Sequence, residues 1–99
     1  MSTQLEENVE TQVKKPSEYK VILLNDNYTA VDFVEEVLQN IFDKTKAEAQ
    51  VITQAIHHDG RGIAGIYSYE IAKTKLMILD RVSRQKNYPL KGKMEKMDD

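Results

Sequence analysis

The chemistry this sequence could do is concentrated in one run, Asn25-Asp26-Asn27-Tyr28-Thr29. It sets two amides, a carboxylate and a hydroxyl side by side, and each offers an oxygen that accepts a hydrogen bond. A polar run between an apolar strand and a helix is where a rigid scaffold carries function. The same residues would also serve as a turn and helix cap with no further role. A second candidate is His57, near the end of another helical pattern. If both border one pocket lined by Val31, Val34 and Ile56, the site suits a cationic group attached to a hydrophobic one. A peptide's free α-amine beside a large first side chain fits that description. His57 could instead do no more than close its helix.

The elements that must position these residues follow from periodicity. Tyr19 to Leu24 is nearly continuous apolar sequence, which predicts a strand buried on both faces and central in its sheet. Thr29 with Asp32 matches a capping box, and Val34, Val37, Leu38, Ile41 and Phe42 recur at helical spacing. That helix is expected to run to Phe42 or Asp43. Thr45 with Glu48 repeats the capping box. The second helix buries Ala49, Ile52, Ala55 and Ile56, stops at Gly60, and forms a helical hairpin with the first. Gly62 to Tyr67 is a second strand. Ser68 caps a third helix with a wide apolar face: Ile71, Ala72, Leu76, Leu79 and Val82, with Met77 and Ile78 beside them. After Pro89, Leu90, Gly92 and Met94 alternate with charged residues, as in a sheet-edge strand. The sum is an α+β fold, a β-α-α-β-α-β sandwich with a three-stranded antiparallel sheet packed on three helices. Residues 1–17 read as a flexible N-terminal tail and residues 18–97 as the one core domain.

Composition narrows the function. The chain has 99 residues, room for a single small domain. Its net charge of -2 argues against binding a phosphate backbone, so no nucleic acid is expected. It has no cysteine, which excludes disulfides, thiolate metal sites and a cysteine nucleophile. No run is long enough to span a membrane and the start lacks a signal pattern, so the protein is expected to be cytoplasmic. Gly60-Arg61-Gly62-Ile63-Ala64-Gly65 spells a dinucleotide fingerprint but leaves a helix and enters a strand, the reverse of what a pyrophosphate site requires. His57 and His58 are neighbours on a helix and diverge by about 100°, a poor pair for a metal. Asp26 to Asp32 lacks the central glycine of a calcium loop, and no nucleophile elbow occurs. No cofactor and no metal are expected.

At these residues the chain resembles the ClpS family, adaptors of the Clp AAA+ protease. The resemblance is carried by Tyr19-Lys20-Val21-Ile22-Leu23-Leu24-Asn25-Asp26-Asn27-Tyr28-Thr29, then Phe33-Val34, Val37-Leu38-Gln39, Ala55-Ile56-His57 and Gly60. Glu70-Ile71-Ala72, Thr74-Lys75 and Tyr88-Pro89-Leu90 continue it, so that it covers residues 18 to 95. It implies a fold similar to the C-terminal domain of the bacterial ribosomal stalk protein. It also implies an N-end-rule adaptor, not an enzyme. Such a protein binds substrates with a bulky hydrophobic N-terminal residue (an N-degron) and delivers them to a ClpA- or ClpC-type unfoldase. By resemblance, Asn25, Asn27 and His57 hold the α-amine, with Asp26 on the rim. Thr29, Val31, Val34, Thr53, Ile56 and Leu90 form the side-chain pocket. Tyr28, Glu70 and Lys75 contact the unfoldase, which the tail before Tyr19 also engages. The protein is expected to be a monomer.

Three positions depart from the family. Asn27 stands where many members carry an aspartate, which weakens a charge-assisted bond to an ammonium. Val31 and Thr53 stand where methionines are frequent, and smaller, stiffer residues change the pocket's shape. The ranking of first residues should shift, favouring large aromatics in a wider pocket. Two other readings stay open at this point. One is a ClpS-like regulator that binds the unfoldase with altered or lost N-degron specificity. The other is a small-molecule enzyme or other ligand-binding domain using the same pocket.

Overall fold

The computed structural model describes residues 16–97. Most of the expected tail, residues 1–15, lies outside them. Six elements follow in order: β1 (Glu18–Leu24), α1 (Val31–Asn40), α2 (Lys46–Asp59), β2 (Arg61–Ser68), α3 (Tyr69–Gln85) and β3 (Lys91–Lys96). The sheet order is β2-β1-β3, with both pairings antiparallel. β1 is therefore central and β3 an edge, as the apolar run and the alternating charges predict. Val21 and Leu23 enter the core with Phe33, Val34, Val37, Leu38, Phe42, Ala49, Ile56, Ala64, Ala72, Leu79 and Leu90. Ile22 points to the other face, yet it too is fully buried, with Ile63 and Lys93 as its register partners. A bulge lies opposite Val21 and Ile22, which pair with Gly65 and Ile63 and leave Ala64 as the extra residue.

The second helix begins and ends as its sequence dictates. Thr45 accepts from the Glu48 backbone N–H and Glu48 accepts from that of Thr45, a complete capping box. Gly60 closes the helix in the left-handed conformation, φ 85°, where glycine carries no steric penalty. Ser68 caps α3 through the Ile71 N–H.

Three expectations are corrected. Thr29 does not cap α1. The N-cap is Ala30, with no side-chain bond, and Thr29 is engaged by Asp26 instead. The first helix stops at Asn40, short of Phe42, because the chain reverses there. Asp43 is left-handed (φ 57°) and the Lys44 N–H donates to the Leu38 carbonyl. The buried face of α3 is narrower than its sequence suggests. Ala72 and Leu79 are buried, whereas Ile71, Met77 and Ile78 are exposed, since a three-stranded sheet covers only one stripe of a long helix.

Candidate functional site

The residues predicted to act together are drawn to one end of the sheet. β1 ends at Leu24 opposite Arg61, so the polar run leaves the sheet beside the point where α2 turns into β2. One backbone bond ties the two together: the Asn25 N–H donates to the Gly60 carbonyl at 3.0 Å. His57 is on the last turn of α2, immediately before that knot.

Asp26 shapes the turn. Its Oδ1 accepts from the Tyr28 N–H (2.8 Å) and the Thr29 N–H (2.7 Å), and its Oδ2 from the Thr29 hydroxyl (2.8 Å). An Asp that binds its own backbone two and three residues on is a standard way to fix such a turn. Partial burial alone would raise the Asp26 pKa. The Thr29 hydroxyl and the two N–H groups outweigh it and hold the carboxyl below its ordinary value. A depressed folded-state pKa adds stability that is present above the unfolded value, about 3.9, and is lost as pH falls through the folded one. The gap in melting temperature between wild type and Asp26→Asn should therefore be constant at neutral pH and close only below about pH 4. A gap that closes between pH 5 and 7 would contradict this assignment.

Around the knot lies a cavity of about 250 Å³ lined by Asn25, Asp26, Asn27, Thr29, Val31, Val34, Thr53, Ile56 and His57. Its rim is polar and carries the anionic Asp26. Its walls are the apolar side chains of α1 and α2. Such a cleft can seat an apolar group with a cation at its mouth. Nine of the ten residues expected to form the amine site and the pocket are thus brought to one place. Leu90 is not. It is 2% exposed and belongs to the core.

The three residues expected to meet the unfoldase are divided. Tyr28 is 79% exposed at the cavity end. Glu70 follows Ser68, which pairs with Glu18 at the opposite end of β1, about 20 Å away along the strand. Lys75 is only part-exposed there. Its ammonium donates to the Ile41 carbonyl, pairs with Asp43 at 3.7 Å, and lies over the Tyr67 ring at 5.1 Å.

A second, larger cavity of about 470 Å³ shares Val31, Thr53 and His57 with the first and adds Glu35, Gln50, Gln54 and His58. Sequence reasoning missed these four. Glu35 stands four residues after Val31, and Gln50 and Gln54 precede His57 and His58 at helical spacing, which is the signal that would have found them.

Among the described residues no cluster of three or more His, Asp or Glu is placed to hold a metal ion, and no helix is long and apolar enough to cross a membrane.

Comparison with known proteins agrees with this geometry. Residues 14–93 match the sequence pattern of the ATP-dependent Clp protease adaptor protein ClpS. The ATP-dependent Clp protease adapter protein ClpS of Helicobacter hepaticus is 45% identical over 95 residues, 96% of each chain. Its counterpart in Shewanella piezotolerans is 50% identical over 91 residues, 92% of this chain and 89% of that one. The structure of Agrobacterium tumefaciens ClpS2 bound to L-phenylalaninamide superposes with a TM-score of 0.80 at 29% identity, covering 84% of this chain and all of that one. In sequence from end to end of the core and in the order of its strands and helices, the chain belongs to the ClpS family, adaptors of the ATP-dependent Clp protease and not enzymes.

Proposed function

We propose that the cavity at the β1 end is an N-degron receptor. It takes the first residue of a substrate, with the α-amine at Asn25, Asn27 and His57 and the side chain against Val31, Val34, Thr53 and Ile56. The observation that carries this reading is the single cleft with acceptors at its mouth and apolar walls below them. The Agrobacterium relative adds support, because L-phenylalaninamide is a free α-amine beside a benzyl group. Thr29 buttresses the rim through Asp26, and Leu90 supports the pocket from the core behind it.

The substrate is delivered, in the cytoplasm, by a monomeric adaptor to the protease's unfoldase, of the ClpA or ClpC type. Glu70 and Glu18, the residue at which the sheet begins, share the end of the sheet remote from the cavity, and the segment before Glu18 engages the unfoldase as well. Lys75 supports that end by bracing Asp43 and the Ile41 carbonyl. Contacts there leave the receptor open to its substrate, and Tyr28 provides a further contact beside the cavity.

Fluorescence anisotropy with peptides that differ only in residue one tests the reading. Peptides beginning with Phe, Tyr or Trp should bind at least tenfold more tightly than one beginning with Ala, the difference expected for burying or omitting a large apolar side chain. His57→Ala should weaken the aromatic peptides by about tenfold, one lost hydrogen bond to a charged group. Equal binding of Phe- and Ala-initiated peptides, unaffected by His57→Ala, would instead favour a regulator that engages the unfoldase without reading degrons. Asn27, Val31 and Thr53 are the features that keep that second reading alive.

A further inference from the structure

Thr53 is 8% exposed and lines both cavities, yet its hydroxyl oxygen is closed off and has no hydrogen-bond partner. A threonine inside a helix ordinarily gives its hydroxyl to the carbonyl four residues back, here that of Ala49. Thr53 does not. A buried hydroxyl left unpaired is disfavoured unless something satisfies it. Ser83 is also buried without a partner but does not line the cavity, so placement, not the missing bond alone, sets Thr53 apart.

We propose that Thr53 selects among bulky first residues, favouring a side chain with a hydrogen-bonding group at its far end, tyrosine or tryptophan, over one of equal bulk without it. This rests on the reading of the cavity as an N-degron receptor. Thr53 precedes His57 by one helical turn and so lies on the same face of α2, about 6 Å along the axis. That step is comparable to the length of a tyrosyl side chain. An amine held at the rim by His57 therefore brings the far end of the side chain level with Thr53. The apolar walls Val34 and Ile56 offer no polar side-chain atom, and the Thr29 hydroxyl is already given to Asp26. A phenol or an indole N–H buried there has Thr53 as its side-chain partner. The hydroxyl suits both, since it donates one proton and has two lone pairs, whereas an indole only donates. Nothing tethers the Thr53 hydroxyl in its present position. One staggered step about χ1 carries it to the place the methyl group now holds and moves the methyl group to that of the Cβ hydrogen.

The test compares peptides beginning with tyrosine and with 4-methylphenylalanine, which match in shape and differ in the hydroxyl. Wild-type protein should bind the tyrosine peptide about three- to tenfold more tightly, the range of one net neutral hydrogen bond. Thr53→Val keeps the shape and removes the hydroxyl, and should level or invert that ratio. Equal affinities in wild type overturn the proposal, and that comparison does not depend on any variant folding. A wild-type preference that persists in Thr53→Val, checked for folding by circular dichroism, overturns the assignment to Thr53. Failure of both aromatic peptides to bind wild type overturns the receptor reading itself, a result separable from the other two.

Discussion

A Phe-initiated peptide whose α-amine has been acetylated should bind at least about a hundredfold more weakly than the same peptide with a free amine. The free ammonium carries three donors and a full charge. It would meet the amide oxygens of Asn25 and Asn27, the ring of His57 and the field of Asp26, whose pKa is held low enough to keep it anionic at neutral pH. Acetylation removes the charge, leaves one N–H and adds an acetyl group, as an amide, at a polar rim. Hydrogen bonds to charged groups contribute about 1.5–3 kcal/mol each, so losing two corresponds to about a hundredfold or more. The apolar walls are untouched by the change, which isolates the rim's share of the binding. Competition against a labelled Phe peptide reads the difference directly. If the acetylated peptide competes within tenfold, the cleft reads side chains alone and the rim has no role in recognition.

Gly62→Ala should lower the melting temperature by about 5–15 °C and loosen the cavity at the same time. Gly62 is on β2, paired with Leu23 and covered by α2. A Cβ there would sit 2.8 Å from the Ile56 Cγ1 and 3.1 Å from the Ile52 carbonyl oxygen. The first contact is a side chain that can turn. The second is helix backbone, which moves only if α2 moves. Overpacking of this kind costs about 1–3 kcal/mol, and the entropy an alanine removes from the unfolded chain offsets about 0.4–1 of it. The net converts to the stated shift for a domain this small. Ile56 and His57 ride on the displaced helix, so Phe-peptide affinity should fall in parallel. An unchanged melting temperature would mean that α2 is not seated on β2 by this close approach.

Both expectations rest on elements that are legible in the amino-acid sequence. Four consecutive apolar residues, Val21 to Leu24, identify a central strand because only a strand covered on both faces tolerates them. Thr45 with Glu48, and Gly60, mark the ends of α2 because each supplies a bond or a backbone conformation that a helix end lacks. The cavity is legible as a possibility from Asn25 and His57, and as a set of residues only through the family's pattern. Thr29 defeats the same logic that succeeds at Thr45. Its spacing to Asp32 satisfies the capping pattern, but Asp26, three residues earlier, takes both its hydroxyl and its N–H, and the helix begins one residue later with Ala30 as N-cap. Leu90 and Lys75 lie deeper than their sequence suggests for a different reason. Alternation tells which face a residue takes, not how deep the neighbouring helix sits. Glu35, Gln50, Gln54 and His58 escape because polar residues on a helix read as its wet side, and a groove between two wet sides leaves no mark on hydropathy.

The central place of β1 has a consequence during synthesis. The strand that leads into Asn25 and Asn27 is the first of the three to leave the ribosome, but its neighbour on one side, β3, is the last. Tyr19 pairs with Lys96, and Leu24 with Lys91. Until Lys91–Lys96 emerges, one edge of Val21-Ile22-Leu23 has no ladder partner, so a nascent or prematurely terminated chain presents an apolar, unpaired strand edge of the kind that seeds aggregation. A protein that takes others to destruction is, while being made, itself a candidate for the same quality control.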